Sequence, residues 1–451
     1  MSDKFKTDYQ NKNVLVLGLA RSGLAAMDLL LKKGANLIAA DENRDISMPG
    51  RFKDINIHLG PFSADLLDSC DEVILSPGIS TSHQIVLEAV NRSIPIVSEL
   101  ELGYRFAEGK IIALTGTNGK STTVKMIERI LIESGHKAIA AGNIGKPFSM
   151  VTEDLDSKGV FVIEVSSFQL ELISDFKPDV TGILNMTPDH LDRYPTAADY
   201  YRAKERITAN NDAGDCFFYN ADDERCAMAA SKFTGSVVAF SSSTHLNEGI
   251  FLDGSTIVRA SDEKSPEEIM DVSDLKVVGL HNVENALAAI ASLNVFGVPA
   301  KSCREALSNF EGLDHRMEKV RTVENVVYFN DSKATNVEAT VKSLAHLECP
   351  VVLIAGGLDK GGDFKKLQRV AGNILHVVLI GSAADLIEEA LCGIVPVSRA
   401  ETMTEAVQKA RDVSVGGACV VLSPACASFD MFTDFRERGN LFKDIVNQIG
   451  V

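Results

Sequence analysis

Residues 111–123 read IIALTGTNGKSTT. An apolar run, Ile111 to Leu114, ends in Thr115-Gly116-Thr117-Asn118-Gly119-Lys120-Ser121-Thr122. A helical pattern follows, with Val124, Ile127, Ile130 and Leu131 on one face and a stop at Gly135. Strand, glycine loop, lysine, hydroxyl and helix in this order make a phosphate cradle. Glycines let backbone N–H groups turn toward an anion, and the helix N-terminus adds partial positive charge. Lys120 is a point charge for terminal phosphates, and the Ser121 hydroxyl can ligate Mg2+. The spacing departs from G-x-x-x-x-G-K-[ST]: Leu114 stands where the first glycine belongs, and the nearest glycine is Gly116. This is a shorter, variant cradle. The plain alternative is an ordinary strand–turn–helix connection; the flanking strand and helix favour phosphate binding.

Outward from this loop, the next apolar strand, Val160 to Ile163, ends at Glu164 and runs into Val165-Ser166-Ser167-Phe168-Gln169-Leu170-Glu171. A carboxylate at the end of a strand beside the phosphate-loop strand sits where Mg2+ needs an anionic oxygen. A further strand, Val180 to Leu184, leads into Asn185-Met186-Thr187-Pro188-Asp189-His190-Leu191-Asp192-Arg193-Tyr194. A single histidine is more often structural than a ligand, but one flanked by acids at a strand end points to a site. Tyr201 to Ile207 reads as helix, with Lys204 on the face of it a solvated lysine. Asn282 and Asn285 open an Ala-rich helix, either as caps or as amides for a purine edge.

Two further α/β blocks flank this one. The first has strands Val14–Leu17, Asn36–Ala40 and Glu72–Leu75, and a turn Gly18-Leu19-Ala20-Arg21-Ser22-Gly23. Ala20 replaces the glycine that lets a dinucleotide pyrophosphate approach, so the block reads either as a nucleoside-diphosphate site with Asp41 as polar partner or as a plain parallel-sheet domain. The last block starts near Leu313. Its strands Val326–Phe329, Val351–Ala355 and Ala418–Leu422 end in Asn330-Asp331-Ser332-Lys333, Gly356-Gly357-Leu358-Asp359-Lys360 and Ser423-Pro424-Ala425-Cys426-Ala427-Ser428. In an open parallel sheet such ends line one crevice.

Composition bounds the reading. A chain of 451 residues implies two to four domains, and a formal charge of −17 argues against a nucleic-acid or membrane-surface binder. Eight cysteines without a C-x-x-C pair suggest reduced thiols in a cytosolic setting, with neither a disulfide framework nor a zinc site. MSDKFKTDYQ has no apolar core and no run approaches a membrane span, so neither export nor membrane insertion is expected.

GTNGKST, EVSSFQLE, LNMTPDHLDRY followed by AKERI, GLHNVENALAA, HRMEKV, NDSKATN and SPACASFDMF, in this order, resemble the Mur ligases. These are the ATP-dependent amide-bond-forming enzymes of bacterial peptidoglycan synthesis. Within the family the pattern is most similar to the members that add D-glutamate to UDP-N-acetylmuramoyl-L-alanine. The resemblance spans nearly the whole chain. It implies an α/β protein of three domains, each with a mainly parallel sheet. Residues 1–98 would form a Rossmann-like UDP-binding domain, 99–312 a P-loop ATPase domain, and 313–451 a Rossmann-like amino-acid-binding domain. It also implies a cytoplasmic monomer that binds neither nucleic acid nor membrane.

The resemblance assigns residues too. Gly18, Arg21, Ser22, Asp41, Gly78 and Asn143 would meet the UDP substrate. Gly116, Thr117, Asn118, Gly119, Lys120, Ser121 and Thr122 would hold ATP phosphates, Asn282 and Asn285 the adenine, and Arg316 and Asp331 the nucleotide from the last block. Ser121 and Glu164 would bind one Mg2+, and His190 with a carbamylated Lys204 a second. Lys333 would meet the migrating phosphate. Thr335, Lys360, Ser428, Phe429 and Phe435 would form the D-glutamate pocket. The stretch before AKERI is one residue shorter than in close relatives, and the matching flanks set that gap near Thr196 and Ala197.

Overall fold

The computed structural model describes residues 7–189, 193–261, 264–277, 279–345 and 347–450. They form two compact units, Met1–Phe310 and Glu311–Val451. The first unit holds two sheets. One contains β1 (Asn13–Leu17), β2 (Asn36–Asp41), β3 (Asn56–Leu59), β4 (Glu72–Leu75) and β5 (Ile96–Ser98), in the order β3-β2-β1-β4-β5. All of its pairings are parallel. Val14 to Leu17 are all buried, as expected for a strand covered on both faces. The helix Arg21–Lys32 packs Ala25, Ala26, Met27, Leu29 and Leu30 inward.

The second sheet has nine strands: β6 (Lys110–Thr115), β7 (Ala138–Gly142), β8 (Val160–Glu164), β9 (Val180–Ile183), β10 (Cys216–Asn220), β11 (Ser236–Ser241), β12 (Gly249–Asp253), β13 (Thr256–Ser261) and β14 (Lys264–Asp271). Their order is β14-β13-β12-β11-β10-β9-β6-β8-β7. Pairing is parallel from β7 to β12 and antiparallel across β12–β13 and β13–β14. The antiparallel extension has no apolar run to announce it; Glu267 and Glu268 interrupt β14, and register shifts mark its pairing with β13.

The second unit carries β15 (Glu318–Val323), β16 (Val326–Asn330), β17 (Val351–Gly356), β18 (Ile374–Ile380), β19 (Val397–Arg399) and β20 (Cys419–Leu422), ordered β15-β16-β20-β17-β18-β19. Only β15 is antiparallel. The chain is thus an α/β protein with mainly parallel sheets. β16, β20 and β17 are neighbours, so their three polar loops do leave the same edge of the sheet.

One expectation and two of the plain alternatives need correcting. Cys349 and Cys419 form a disulfide across 70 residues of sequence, so the thiols are not all reduced. The register of β17 on β20 pairs Val351 with Cys419, which brings the two sulfurs together at the strands' amino ends. Second, Asn282 and Asn285 do not cap their helix. It runs Leu280–Ser292 from Gly279, which makes no side-chain cap bond, and both asparagines lie inside the first turns. Third, Lys204 is not solvated: it is 1% exposed. Its helix, Ala197–Glu205, starts at a Thr196–Asp199 capping box, and that start sets the phase that turns Lys204 inward. Among the described residues no helix is long and apolar enough to cross a membrane.

Candidate functional site

Order in the second sheet decides the site. β6 lies between β8 and β9, and β7 flanks β8, so the chain leaves four adjacent parallel strands at one edge. The loop after β6 turns at Gly119 into the helix Lys120–Glu133, whose face Val124, Ile127, Ile130 and Leu131 is buried. Gly119 has φ +83°, and a Cβ there would collide with Asn285 Oδ1, so conformation and space both demand glycine. Asn285 in turn accepts from Thr123 Oγ1 at 3.2 Å and donates to Asn282 Oδ1 at 3.3 Å. The two asparagines therefore stand beside the start of the phosphate-loop helix.

The loop's other wall comes from the end of β9. Asn185 Oδ1 accepts the N–H groups of Thr117 (3.0 Å) and Asn118 (2.8 Å), and Asn185 Nδ2 donates to Asn118 O at 3.2 Å. Thr117 Oγ1 donates to Thr187 O at 2.9 Å. Directly beyond these amides lies the first helical turn, Lys120 to Thr122, and a helix N-terminus favours an anion. Asn185 has no role in the reading of the sequence alone; the signal that could have found it is an asparagine at the end of the strand next to a phosphate loop.

Charge is concentrated here. Lys120 Nζ donates to Gly116 O (2.8 Å) and Thr117 O (3.0 Å). Lys204 Nζ, from the helix Ala197–Glu205, reaches the same Gly116 O at 2.8 Å and Thr115 Oγ1 at 3.3 Å. Burial, and then the charge of Lys120, hold the Lys204 amine well below the usual lysine pKa. Glu164, 3% exposed at the end of β8, accepts from Ser121 Oγ at 2.7 Å and from Asn143 Nδ2 at 2.9 Å. Asn143, expected on the UDP-substrate side, thus touches the carboxylate expected to bind metal. His190 lies outside the described residues. Among the described residues no group of three or more His, Cys, Asp or Glu side chains could hold a metal.

The first sheet contributes a second cluster to this unit. Gly18 has φ +89°, and Ser76 Oγ donates to its carbonyl at 2.8 Å. Asp41 Oδ2 accepts the Leu19 N–H at 2.6 Å, fixing the turn that carries Ala20, Arg21 and Ser22. Arg21 Nη1 donates to Gly145 O at 2.9 Å, which ties that turn to the loop of Asn143. Gly78 is exposed just beyond β4.

The remaining expected residues belong to the second unit. Arg316 is exposed, between His315 (φ +61°) and Met317 (φ +42°). Two carboxylates hold this strained turn: Glu318 Oε2 accepts the His315 N–H at 2.9 Å, and Asp331 Oδ1 accepts the Met317 N–H at 3.2 Å. Asp331 is 2% exposed, and Ser423 Oγ donates to its other oxygen at 2.8 Å. Burial pushes its pKa up to about 6. Lys333 and Thr335 follow it, half-buried. Ser428 is buried and Phe429 exposed, with Lys360 Nζ 5.9 Å from the Phe429 ring centroid. Phe435 packs edge-on to His315. Arg438, which carries no expected role, is 1% exposed in this unit.

Parallel strands, a glycine-turned loop on a helix N-terminus and a buried Ser–Glu pair define an α/β protein of the phosphate-loop class. Three family models match successive parts of the chain. The Mur ligase MurD-like, N-terminal domain covers residues 12–98, the Mur ligase middle domain 114–293, and the Mur ligase, glutamate ligase domain 315–426. The chain belongs to the Mur ligase family. It is 42% identical over 447 residues to the UDP-N-acetylmuramoylalanine--D-glutamate ligase of Pelotomaculum thermopropionicum, covering 97% of this chain and 98% of that one. Its fold is similar to UDP-N-acetylmuramate-alanine ligase MurC of Thermotoga maritima, with a TM-score of 0.61 and 21% identity over 96% and 99% of the two chains. It also resembles the MurF ligase of Thermotoga maritima solved in complex with ADP, at a TM-score of 0.56 and 14% identity over 99% and 100%.

Proposed function

We propose that this chain is an ATP-dependent ligase that joins D-glutamate to UDP-N-acetylmuramoyl-L-alanine in peptidoglycan precursor synthesis. One observation carries the reaction class: a phosphate loop with Lys120, the Ser121–Glu164 pair and the buried Lys204 at its mouth. The full-length likeness to a D-glutamate ligase supports the choice of acceptor. A free carboxylate is a poor acyl donor, because oxide is a poor leaving group. Transfer of the ATP γ-phosphate to the L-alanyl carboxylate makes an acyl phosphate; the D-glutamate amine attacks it, and phosphate leaves. Two anions must meet in the first step, so positioning and charge neutralisation are the enzyme's main work.

Lys120 and the first-turn amides hold the terminal phosphates. Asn282 and Asn285 face the adenine, and Arg316 and Asp331 serve the nucleotide from the last domain. Mg2+ fits the donor set: a buried carboxylate and a hydroxyl are hard oxygen ligands, and Ser121 and Glu164 would hold one ion, which neutralises phosphate charge when bound. His190 and Lys204 would hold a second. The depressed pKa of Lys204 favours its neutral amine, the form that adds carbon dioxide with loss of a proton to give an anionic carbamate. Gly18, Arg21, Ser22, Asp41, Gly78 and Asn143 serve the UDP substrate. Lys333 meets the transferred phosphate, and Thr335, Lys360, Ser428, Phe429 and Phe435 receive D-glutamate. The working parts are residues 1–98, 99–312 and 313–451, in a cytoplasmic monomer. ADP release assayed with UDP-N-acetylmuramoyl-L-alanine against a panel of D- and L-amino acids tests the reading. Strong preference for D-glutamate is the expected result, and equal use of a diamino acid or of D-alanyl-D-alanine would overturn it.

A further inference from the structure

Arg438 is the fourth residue of the helix Phe435–Gln448 and is fully enclosed, at 1% exposure. Its guanidinium meets no carboxylate among the described residues. Its partners are oxygens of two loops. Nε donates to Ser332 Oγ (3.0 Å) and Nη2 to Ser332 O (2.9 Å), in the loop after β16. Nη2 also donates to Cys426 O (3.1 Å) and Nη1 to Ala427 O (3.2 Å), in the loop after β20. Ser332 Oγ in turn donates to Phe435 O at 2.7 Å, which closes the network back onto the helix.

A third loop joins at the same carbonyl. Leu358 N–H donates to Ala427 O at 2.9 Å, and Ala427 N–H returns to Leu358 O at 3.0 Å. The approach is so close that Gly357, at φ +132°, has no room for a Cβ beside Ala427 O; a Cβ there would also lie 3.2 Å from Arg438 Nη1. One planar fork therefore sets the spacing of three strand-end loops. The next residues along them are Lys333 and Thr335, Ser428 and Phe429, and Lys360.

We propose that Arg438 is a positioning residue for the acceptor amino acid, fixing the three loops that present Lys333, Ser428 and Lys360 against one another. The inference rests on the D-glutamate reading above. An isolated buried charge is costly, and dispersed carbonyl dipoles are weaker compensation than a carboxylate. A cation retained there is explained by what it holds: several diverging carbonyls at once, which a planar five-donor group can reach and an ammonium cannot.

The test uses the full-length chain and Arg438→Met and Arg438→Lys. Hydrogen exchange, which needs no substrate, should quicken in residues 331–335, 357–360 and 426–429 of Arg438→Met and leave the strands of that sheet unchanged. The KM for D-glutamate should rise by about tenfold or more, the size of losing a charged hydrogen bond, with the KM for ATP within about twofold. Arg438→Lys should recover part of the loss. If Arg438→Met fails to fold, Ser332→Ala, which removes one acceptor of the fork, carries the same two readouts. Unchanged exchange in the three loops would overturn the proposal, as would an equal rise in KM for every substrate. A parent chain that ignores D-glutamate would defeat the functional reading, and the exchange result would still decide whether the latch exists.

Discussion

The strand ends of the nine-stranded sheet and those of the six-stranded sheet solve the same problem in opposite ways. In the first, cations and an anion lie close together: Lys120 and Lys204 share the carbonyl of Gly116, and Glu164 takes the Ser121 hydroxyl. In the second, two buried charges are hydrogen-bonded by neutral groups. Arg438 donates to carbonyls and a hydroxyl, with the charge of Asp430 acting from further off, and Asp331 accepts from hydroxyls and an amide. The first arrangement offers charge to a ligand and leaves it poised for exchange. The second spends charge on holding backbone. Crowded charges suit the polyphosphate and metal proposed for the first sheet, and buried charges bonded to backbone suit the loop spacing proposed for the second.

That contrast ranks the expected effects of mutation. Lys120→Ala should leave the circular dichroism spectrum intact and lower turnover on the order of 100- to 1,000-fold, since a charge aimed at the terminal phosphates is lost. Normal turnover in the folded variant would remove the phosphate loop from the mechanism. Lys204→Ala should also lose most activity, and added small carboxylic acids should restore part of it by standing in for the carbamate. Parent-level activity would require a metal site built from other residues. Lys360→Ala, in the second sheet, should raise the KM for D-glutamate about 10- to 100-fold with little change in that for ATP, because an exposed lysine offers only its own charged hydrogen bond. A matching rise for ATP would place Lys360 elsewhere in the cycle.

The smallest expected effect is on stability, and it tests the buried charge of Asp331. Burial raises the Asp331 pKa from 3.8 to about 6. The folded value exceeds the unfolded one, so the folded state binds more protons between them. The group's contribution to stability is complete below pH 3.8 and is lost as pH rises through about 6, a change of ~3 kcal/mol. Asp331→Asn removes the titration. Its urea midpoint relative to the parent should therefore improve on going from pH 4 to pH 7; a constant difference between the two proteins would show that Asp331 titrates normally.

How far the chain could be read in advance differed between the regions. The buried parallel strands were legible because they are continuous apolar runs, as Val160 to Ile163 and Val351 to Ala355 show. The edge strands β3, β5 and β19 were not, being short, and β12 to β14 were not, because they form an antiparallel extension at the margin of a sheet. The phosphate loop, Glu164 and the polar loops of the last block were visible as residue types at strand ends. The clamp by Asn185 was not, since its two amide contacts cross 68 and 67 residues of sequence.

The sequence by itself determined the class of the fold, the phosphate loop and the order of its polar strand ends, because local periodicity and turn chemistry act between near neighbours. Tertiary structure alone decided that Lys204 is buried against Gly116, that Cys349 meets Cys419, and that Arg438 joins loops starting 106 and 12 residues away. Each depends on which strands lie side by side and on the phase at which a helix starts. A lysine or an arginine has the same local signature whether it ends in water or in the core; only the packing around it sets its solvation, and with it its charge and its use.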